Sequence, residues 1–436
     1  MVKRRTYVLY LAIVLVVLAS TALGLHLRRQ ALTGPPRDLE QTYYVWQMQW
    51  TDSVREAVRE AAPGAAQVMV LLGEINSRDD ALALTAAQPD WKTLSEARVR
   101  VTLVLRANVG LGSHLSGERR AKTADYLAGV LKGAQEKAQA AGVEVAGLQL
   151  DYDCPSSKLG DYRGLLDALR ERHAATQLSI TVLPTWLRRW EFANLVDRLS
   201  YYVLQVHSLE PPENVDSPIM LCDTARIPGY LRKAASVGVP FYLALPTYGY
   251  RFAFDAEGRF KALSAEGPQP AWAPSFRVKL AMTDPEEIAA VVRSIQEAPP
   301  RACLGFAWFR LPVSSDELNW TWPTLQAVSQ GRVPETALRA EVRNPSPGLY
   351  EVWLANAGET RVWKAVAFDV TWEGHRLVAH DLLGGFEGQP DSGETSLRAV
   401  GPAPRGSEPS MVAWLRVEEA TVPGNVVRVG PVEVME

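Results

Sequence analysis

The sequence predicts an α/β protein in which a (β/α)8 TIM barrel is followed by a C-terminal all-β immunoglobulin-like sandwich. Between residues 43 and 330, eight apolar segments of strand length alternate with segments of helical periodicity. Apolar strands that are each followed by a helix and that stop at eight are typical of a closed parallel barrel. An open doubly wound sheet is the alternative, but no glycine-rich phosphate-binding turn follows the first strand.

The barrel elements are predicted in chain order from apolar periodicity. Strands are predicted at residues 43–49, 67–73, 99–106, 145–153, 178–183, 201–207, 241–245 and 304–309. Helices are predicted at residues 53–62, 121–141, 161–173, 190–198, 224–235, 285–296 and 323–329. Within the connection 76–98, a further short helix is predicted around residues 80–85.

Two regions depart from this alternation. In the loop 248–284, two aromatic runs flank a turn that ends in Gly258, which predicts a β-hairpin standing as one wall of a cleft. From residue 333 onward, alternating strands recur at 341–344, 350–354, 365–372, 411–417 and 426–429. This pattern predicts a sandwich of about 100 residues. The stretch 384–410 is rich in Gly, Pro and Ser and is predicted to be a mobile loop.

The first 30 residues are predicted to be a membrane anchor or signal segment. Lys3, Arg4 and Arg5 precede an apolar run over residues 7–25, which is long enough to span a bilayer. We expect a single-pass inner-membrane protein whose body lies in the periplasm or outside the cell. The alternative is secretion after cleavage near residues 19–22. The predicted domains are 1–30 anchor or signal, 31–41 linker, 42–330 barrel and 331–436 sandwich.

The composition of the chain and its three cysteines limit the partners and cofactors that the sequence predicts. A net charge of -3 on 436 residues gives no indication of a nucleic-acid partner. No His, Cys and carboxylate cluster with metal spacing occurs, so neither a metal nor another cofactor is predicted. Cys154, Cys222 and Cys303 are expected to be buried, reduced side chains. A disulfide between Cys154 and Cys222 is the alternative, because both are predicted on the upper face of the barrel and Cys303 on the lower face.

The strand at 145–153 carries the main candidate site. Leu148, Leu150 and Tyr152 lie on one face, while Gln149, Asp151 and Asp153 lie on the other. Carboxylates are rarely buried unless they are paired or functional. Two carboxylates at the end of an apolar strand therefore predict a site at the mouth of the barrel, where active sites of such barrels lie.

Other strand ends add aromatic and polar side chains to this mouth. Such a mixture is typical of sugar binding, because flat rings stack on pyranose faces while polar groups bind hydroxyls. Trp46, Trp186 and Trp308 are the predicted stacking platforms, although packing is an equal alternative for each of them. The remaining candidates from the other strands are Glu74, Arg106, Gln205, His207, Tyr248 and Arg310.

The motifs resemble those of known families. Residues 146–153, Ala-Gly-Leu-Gln-Leu-Asp-Tyr-Asp, resemble the D-G-x-D-x-D-x-E strand of family-18 glycoside hydrolases, the chitinase-like barrels. Residues 201–208, 243–249 and 304–309 resemble the sixth, seventh and eighth strands of that family. Residues 44–50, 148–155 and 183–187 are more closely similar to the bacterial domain-of-unknown-function family 3142. This resemblance implies the barrel fold, and it implies no proven activity.

The sequence also departs from the chitinase pattern. Asp153 stands where that family has its catalytic Glu, Gln149 and Ala146 replace two Asp residues, and His207 replaces a Tyr that holds the substrate acetamido group. The predicted function is therefore a glycoside hydrolase of an extracytoplasmic or envelope polysaccharide that uses two carboxylates directly. Asp153 would be the acid, with a pKa raised by Asp151, and the base or nucleophile would be Asp151 or Glu74.

Two alternatives remain open. In the first, Asp151 and Asp153 form ion pairs with Arg106 and Arg310, and the barrel binds a polysaccharide without cleaving it. In the second, the barrel is a protein-interaction scaffold, which requires a cleft filled by side chains.

Overall fold

The structure is a computed structural model of the chain. It describes residues 33–435 except 36, 79–80, 174–175, 208–210, 266–269, 271, 394, 405, 407 and 419–425. The predicted anchor or signal segment, 1–30, lies outside the described residues. Within the described part of the chain, no helix is long and apolar enough to cross a membrane.

The described residues form two compact units. The first contains the chain up to Asn319 together with residues 329–331, and the second contains Trp320–Val328 and the chain from Arg332 onward. The predicted domain boundaries, including the one after residue 330, stay predictions.

The first unit is built on a closed parallel barrel, as predicted. Its eight strands are β1 (Glu40–Val45), β2 (Gln67–Arg78), β4 (Val101–Ala107), β5 (Val145–Tyr152), β6 (Gln177–Val182), β7 (Tyr202–Gln205), β8 (Phe241–Pro246) and β12 (Cys303–Phe309). Strand β1 pairs with both its chain neighbour β2 and the last barrel strand β12, which closes the ring in the order β1, β12, β8, β7, β6, β5, β4, β2.

Helices follow most of these strands. Asp284 caps the helix Pro285–Glu297 by accepting a hydrogen bond from the backbone N–H of Glu286, and Pro285 occupies the first turn, where its missing N–H costs nothing. The helices are α1 (Asp52–Ala61), α2 (Trp91–Ala97), α3 (Gly117–Ala140), α4 (Leu159–Arg172), α5 (Glu191–Val196), α6 (Ile227–Val237), α7 (Pro285–Glu297) and α8 (Trp322–Ser329).

Alternate residues of the barrel strands fill its interior. Because side chains of a strand alternate between its two faces, every second residue of each strand points to the barrel axis. These residues form one buried cluster: Tyr44, Met69, Val104, Tyr201, Val203, Tyr242, Ala244 and Ala307, with Trp46, Leu304 and Phe309 packed against it. The packed centre leaves the carboxyl ends of the strands as the place for a cleft.

Two excursions extend the barrel strands. The prediction of a helix at 80–85 is wrong: β3 (Ala81–Ala86) pairs antiparallel with the extended end of β2. Pairing with β2 overrides the helical propensity of this Ala-Leu-Ala-Leu stretch.

The predicted hairpin is confirmed, because β9 (Gly249–Phe254) pairs antiparallel with β10 (Phe260–Ser264). A third strand, β11 (Arg277–Met282), pairs with β9 on its other side.

The second unit contains two antiparallel sheets that share one hydrophobic core. One sheet has the order β13 (Leu338–Ser346), β14 (Leu349–Asn356), β18 (Ser410–Val417) and β16 (Leu377–Leu382). The other has β17 (Ser396–Pro402), β15 (Ala365–Trp372) and β19 (Val427–Val429), with β20 (Glu433–Val434) also paired to β15. The prediction of one loop over 384–410 is wrong, because β17 lies within it and pairs with β15. The immunoglobulin-like arrangement stays a prediction.

All three cysteines are free, so the alternative disulfide between Cys154 and Cys222 is wrong. Cys154 is fully buried, with its Sγ 3.5 Å from the carbonyl oxygen of Pro155, whereas Cys222 lies partly exposed in the loop that meets His207. Burial raises the pKa of each thiol, of Cys303 too, to about 12, so the thiols stay protonated at neutral pH.

Barrel closure depends on the small size of Gly305. A Cβ added at this position would lie 2.0 Å from the carbonyl oxygen of Glu40, its partner in the closing ladder. We expect Gly305→Ala to lower the free energy of unfolding by about 1–3 kcal/mol, because overpacking forces the backbone to shift. Urea unfolding of the purified protein measures this change.

Gly129→Ala in α3 is the matched control. No other atom lies within 4 Å of its added Cβ, so alanine should stabilise the helix by about 0.5–1 kcal/mol. Equal stability of the two variants would contradict this account of the closing ladder.

Candidate active site

A cleft opens at the carboxyl ends of the barrel strands. Its volume is about 560 Å³, and both polar and aromatic side chains line it. The lining residues are Tyr44, Trp46, Arg106, Asp151, Asp153, Thr181, Leu183, Gln205, His207, Ala244, Tyr248, Tyr250 and Phe309. Seven of these belong to the predicted candidates: Trp46, Arg106, Asp151, Asp153, Gln205, His207 and Tyr248.

Strand β5 supplies the carboxylates. Gln149 and Asp151 face the barrel interior, almost completely buried, and Asp153 follows two residues further at the rim, half-buried. Tyr152, on the opposite face, is fully buried. The alternation predicted for this strand therefore carries Asp151 and Asp153 to the same side of the sheet.

Arg106 on the neighbouring strand β4 bridges the two carboxylates. It is paired in register with Asp151, and its Nη1 donates to Asp151 Oδ2 at 2.6 Å while its Nη2 donates to Asp153 Oδ2 at 3.0 Å. Thr181 Oγ1 donates to the other oxygen of Asp151 at 2.6 Å. Both oxygens of Asp151 are thus occupied. Burial lowers the pKa of Arg106, but the two aspartates outweigh it and raise the pKa overall.

Asp153 is held less completely than Asp151. Its Oδ1 is buried and has no hydrogen-bond partner among the described residues. Burial raises the pKa of Asp153 above the usual value of 3.8, Arg106 opposes this rise, and the charge of Asp151 adds to it. The carboxyl group that faces the cleft is therefore the one that binds a proton more readily than an ordinary aspartate.

An uncharged network lies below the carboxylates. The hydroxyl of Tyr44 donates to Gln149 Oε1 at 2.6 Å, and Gln149 Nε2 donates to Ser179 Oγ at 3.3 Å. Burial raises the pKa of Tyr44 well above its usual range, so this hydroxyl remains a donor. Gln149 therefore satisfies its neighbours without adding a third negative charge to the site.

His207 is a neutral part of the cleft wall. It is 4% exposed, its Nδ1 lies 3.1 Å from the hydroxyl of Tyr248, and its ring stacks on Phe309 with centroids 5.2 Å apart. Burial, and then the charge of Arg106, lowers the pKa of His207 to about 3. Gln205 lies beside it and donates from Nε2 to the carbonyl oxygen of His207 at 3.3 Å.

Trp46 is the one predicted stacking platform that reaches the cleft. It packs edge-on against Phe309 with ring centroids 4.9 Å apart, and both rings line the cavity. Trp186 and Trp308 are fully buried, so the prediction that they stack on a ligand is wrong for this structure. The indole N–H of Trp186 donates to the Cys154 carbonyl oxygen, and that of Trp308 donates to Gln41 Oε1.

Two charged candidates lie away from the cleft lining. Glu74, on β2, is exposed and lies in register with Thr85 of β3 and with Arg106 of β4, but it is not among the described residues that line the cavity. Arg310 is 2% exposed, and its Nη2 donates to Asp316 Oδ2 at 2.5 Å. Of the two predicted ion pairs, the structure forms the one with Arg106 and replaces the one with Arg310, because Asp316 is its partner.

Four lining residues, Tyr44, Thr181, Tyr250 and Phe309, are not among the candidates predicted from the sequence. The period-two alternation of strands contains a signal for Thr181, which follows Ser179 on the inner face of β6, and for Phe309, which follows Ala307 on the inner face of β12. Tyr44 precedes Trp46 on the same face of the chain. Tyr250 lies in the predicted hairpin. Among the described residues, no group of three or more His, Cys, Asp or Glu side chains could hold a metal ion.

Comparison with known families recovers one of the families that the strand motifs resemble. Residues 108–314 match the model of the family described as Domain of unknown function (DUF3142), which confirms the resemblance predicted from the strand motifs. No curated protein matches the chain.

Several solved structures are similar to the barrel. The Bacillus cereus spore cortex-lytic enzyme SleL is 12% identical, over 64% of this chain and 72% of that one, with a TM-score of 0.45. A chitinase from Chromobacterium violaceum is 12% identical, over 67% and 99%, with a TM-score of 0.48. The family-18 chitinase ChiB of Flavobacterium johnsoniae is 10% identical, over 63% and 88%, with a TM-score of 0.40. At such identities none of them assigns an activity to this chain.

Because the pKa of Asp153 is raised, the change in stability caused by replacing this residue depends on pH. A raised pKa means that the folded protein binds this proton more tightly than the unfolded chain does. The wild type therefore loses stability relative to Asp153→Asn as pH rises through the folded pKa. We expect the variant to be the more stable protein at neutral pH and its advantage to fade in acid, as measured by urea unfolding at a series of pH values.

Asp255→Asn is a control for which we expect a stability change of the opposite sign. Although burial raises the pKa of Asp255, hydrogen bonds from the backbone of Arg259, from Lys261 and from the Arg259 side chain lower it to about 2. This variant should therefore be less stable than the wild type at neutral pH, and the loss should fade as pH falls through the folded pKa. The same sign for both variants would refute the electrostatic assignment of Asp153.

Proposed function

We propose that the barrel is a glycoside hydrolase that acts on an extracytoplasmic or envelope polysaccharide, with Asp153 as its general acid. The observation that carries the proposal is the half-exposed Asp153 carboxyl group in the cleft, whose pKa burial raises against the opposing charge of Arg106. Acid catalysis of glycosidic bonds needs a carboxyl group whose raised pKa lets it carry a proton to the leaving group.

The cleft has the chemistry of a sugar site. Trp46, Phe309 and Tyr250 offer aromatic surface, and Arg106, Gln205 and the carboxylates offer hydrogen bonds along the same wall. Sugar rings use both kinds of contact at once, since their faces are apolar and their edges carry hydroxyls. The open volume of about 560 Å³ counts against a plain protein-interaction scaffold, which requires a filled cleft.

The reaction needs one proton for the leaving group. Asp153 would donate it to the glycosidic oxygen as the bond to the anomeric carbon breaks, and rotation about its last side-chain torsion would bring either oxygen forward. Water would add its hydroxide to that carbon and lose a proton to Asp151 or to solvent. For Asp151 to accept this proton, its hydrogen bond with either Arg106 or Thr181 has to break. Glu74 lies outside the cleft lining and is the weaker base candidate.

A catalytically inactive polysaccharide-binding barrel is the second candidate. The bridge by Arg106 favours it, because the guanidinium contacts both carboxylates that line the cleft and opposes protonation of Asp153. No third carboxylate lines the cavity among the described residues. Such a protein would use the same aromatic and polar wall to hold a chain without cleaving it.

The location of the protein is part of the proposal. Residues 1–30 would hold the body at the outer side of the inner membrane, since the basic residues Lys3, Arg4 and Arg5 precede the apolar run over residues 7–25. Secretion after cleavage is the alternative. Fractionation of cells that carry a C-terminally tagged chain distinguishes the two.

Turnover on a panel of polysaccharides tests the enzyme directly. We expect Asp153→Asn to lower the rate by about 10²–10⁴-fold, the usual contribution of a general acid, and to keep binding. Asp153→Glu should retain measurable activity, because it keeps the acid and adds one methylene. Asp255→Asn is the matched control, since this aspartate lies outside the cleft lining. Binding without cleavage by the wild type would favour the second candidate.

The pH profile tests the role of Arg106. Because the acid must be protonated, kcat/KM should fall as pH rises through the pKa of Asp153, which lies above 3.8. Arg106 lowers this pKa, so Arg106→Gln should move the falling limb to higher pH. Arg251→Gln is the control, because Arg251 pairs with Glu317 outside the cleft lining. If the falling limb of the pH profile stays in place in Arg106→Gln, Asp153 is not the acid whose pKa Arg106 lowers.

A further inference from the structure

One face of the second unit carries tryptophans that its hydrophobic core does not use. The face belongs to the sheet of β13, β14, β18 and β16. Residues directly opposite each other in paired strands point to the same side of a sheet. Glu351 lies opposite Trp414 and Trp353 follows Glu351 by two residues, so both tryptophans share one side. The buried Val352 and Leu415 lie on the other side.

Charged side chains surround the two rings. In the β13–β14 pair, Arg343 lies opposite Glu351 and Glu341 lies opposite Trp353, and in the β16–β18 pair Asp381 lies opposite Trp414. We call this surface the tryptophan face; its members are Glu341, Arg343, Glu351, Trp353, Asp381 and Trp414. Glu341, Arg343 and Asp381 are exposed, and both indoles are partly exposed.

The orientation of Trp353 is fixed by two contacts. Its indole N–H donates to Glu351 Oε2 at 3.0 Å, and the guanidinium of Arg343 lies 4.3 Å from its ring centroid. Arg343 is itself held by Glu341, to which its Nε donates at 2.6 Å. Such contacts hold a ring in place before any ligand arrives, which reduces the entropy cost of binding.

Trp414 is the free ring of the face. Within the described part of the chain, its indole N–H makes no hydrogen bond and its ring packs on no other aromatic ring. Trp414 lies on the outer side of the sheet, opposite Glu351 on one neighbouring strand and Asp381 on the other, so it offers a flat surface and a donor to a ligand.

A polar cavity lies at strand β16. Its volume is about 440 Å³, and it is lined by His380, Asp381, Leu382, Phe386, Glu387, Gly388 and Gln389. Asp381 belongs both to the tryptophan face and to this cavity. Cross-strand partners thus form one row from Arg343 through Glu351 and Trp414 to Asp381, and the row ends at a residue that borders the cavity.

We propose that the tryptophan face binds a glycan chain, with Trp414 and Trp353 stacking on successive sugar rings and the flanking charged groups binding their hydroxyls. Flat rings separated by carboxylates and a guanidinium fit a chain that is apolar on its faces and polar on its edges. A protein partner would instead favour a contiguous apolar centre with a polar rim. The proposal is independent of the barrel, and it stands whether the cleft cleaves a glycan or only holds one.

Affinity electrophoresis of the full chain tests the proposal. Native gels contain hydroxyethylcellulose, laminarin, galactomannan or glycol chitin, and all proteins carry Asp153→Asn so that no polymer is cleaved. We expect at least one polymer to retard the parent protein. Trp414→Ala and Trp353→Ala should each weaken that retardation by about tenfold in apparent Kd, because the stacking surface is lost. Trp414→Phe should restore most of it.

Two controls separate this site from its alternatives. Trp363→Ala removes another tryptophan of the second unit that an arginine covers, with the guanidinium of Arg361 4.9 Å from its ring, and this variant should bind as the parent does. Trp46→Ala alters the barrel cleft and should leave retardation by the second unit in place. The proposal fails if no polymer retards the parent, if Trp414→Ala binds normally, or if Trp46→Ala alone abolishes retardation.

Discussion

The pairing of β1 with β12 is the constraint from which the site follows. Once Glu40–Val45 lies beside Cys303–Phe309, the sheet has no free edge between them, and alternate residues of the eight barrel strands must share one narrow interior. Apolar and aromatic side chains fill its centre. Polar residues on the same inward register can then remain accessible only where the strands end, which is where Arg106, Asp151 and Asp153 meet.

Two opposing effects set the pKa of Asp153 at this site: burial and the guanidinium of Arg106. Burial and the neighbouring carboxylate favour a protonated Asp153, whereas Arg106 favours an ionised one, and burial is the largest of these effects. The same arginine that makes two adjacent carboxylates tolerable therefore limits how strong an acid catalyst Asp153 can be. A hydrolase and an inactive glycan-binding barrel differ in this balance more than in the shape of the cleft. The neutral His207 and Gln149 add no further charge to it.

Much of the fold was predictable because it follows from periodicity. The alternation along residues 145–153 placed Gln149, Asp151 and Asp153 together without knowledge of any other strand. The prediction is wrong where tertiary contacts decide the structure. Residues 81–86 form a strand because they pair with the end of β2, and Arg310 pairs with Asp316 instead of with Asp151 or Asp153. Trp186 and Trp308 are predicted as stacking platforms because of their residue type, whereas the strand face that a residue occupies decides whether it can reach the cleft. Ala307 and Phe309 occupy the inner face of β12, so Trp308 points outward.

The pKa of Asp153 is the quantity on which the proposed mechanism depends most directly. It can be measured by ¹³C NMR titration of the full chain labelled at aspartate carboxyl groups, with Asp153→Asn identifying the resonance. We expect a titration midpoint above the ordinary aspartate value of 3.8. In Arg106→Gln we expect this midpoint to move to still higher pH. A midpoint at or below the ordinary value would contradict Asp153 as a proton donor and leave the cleft a binding site.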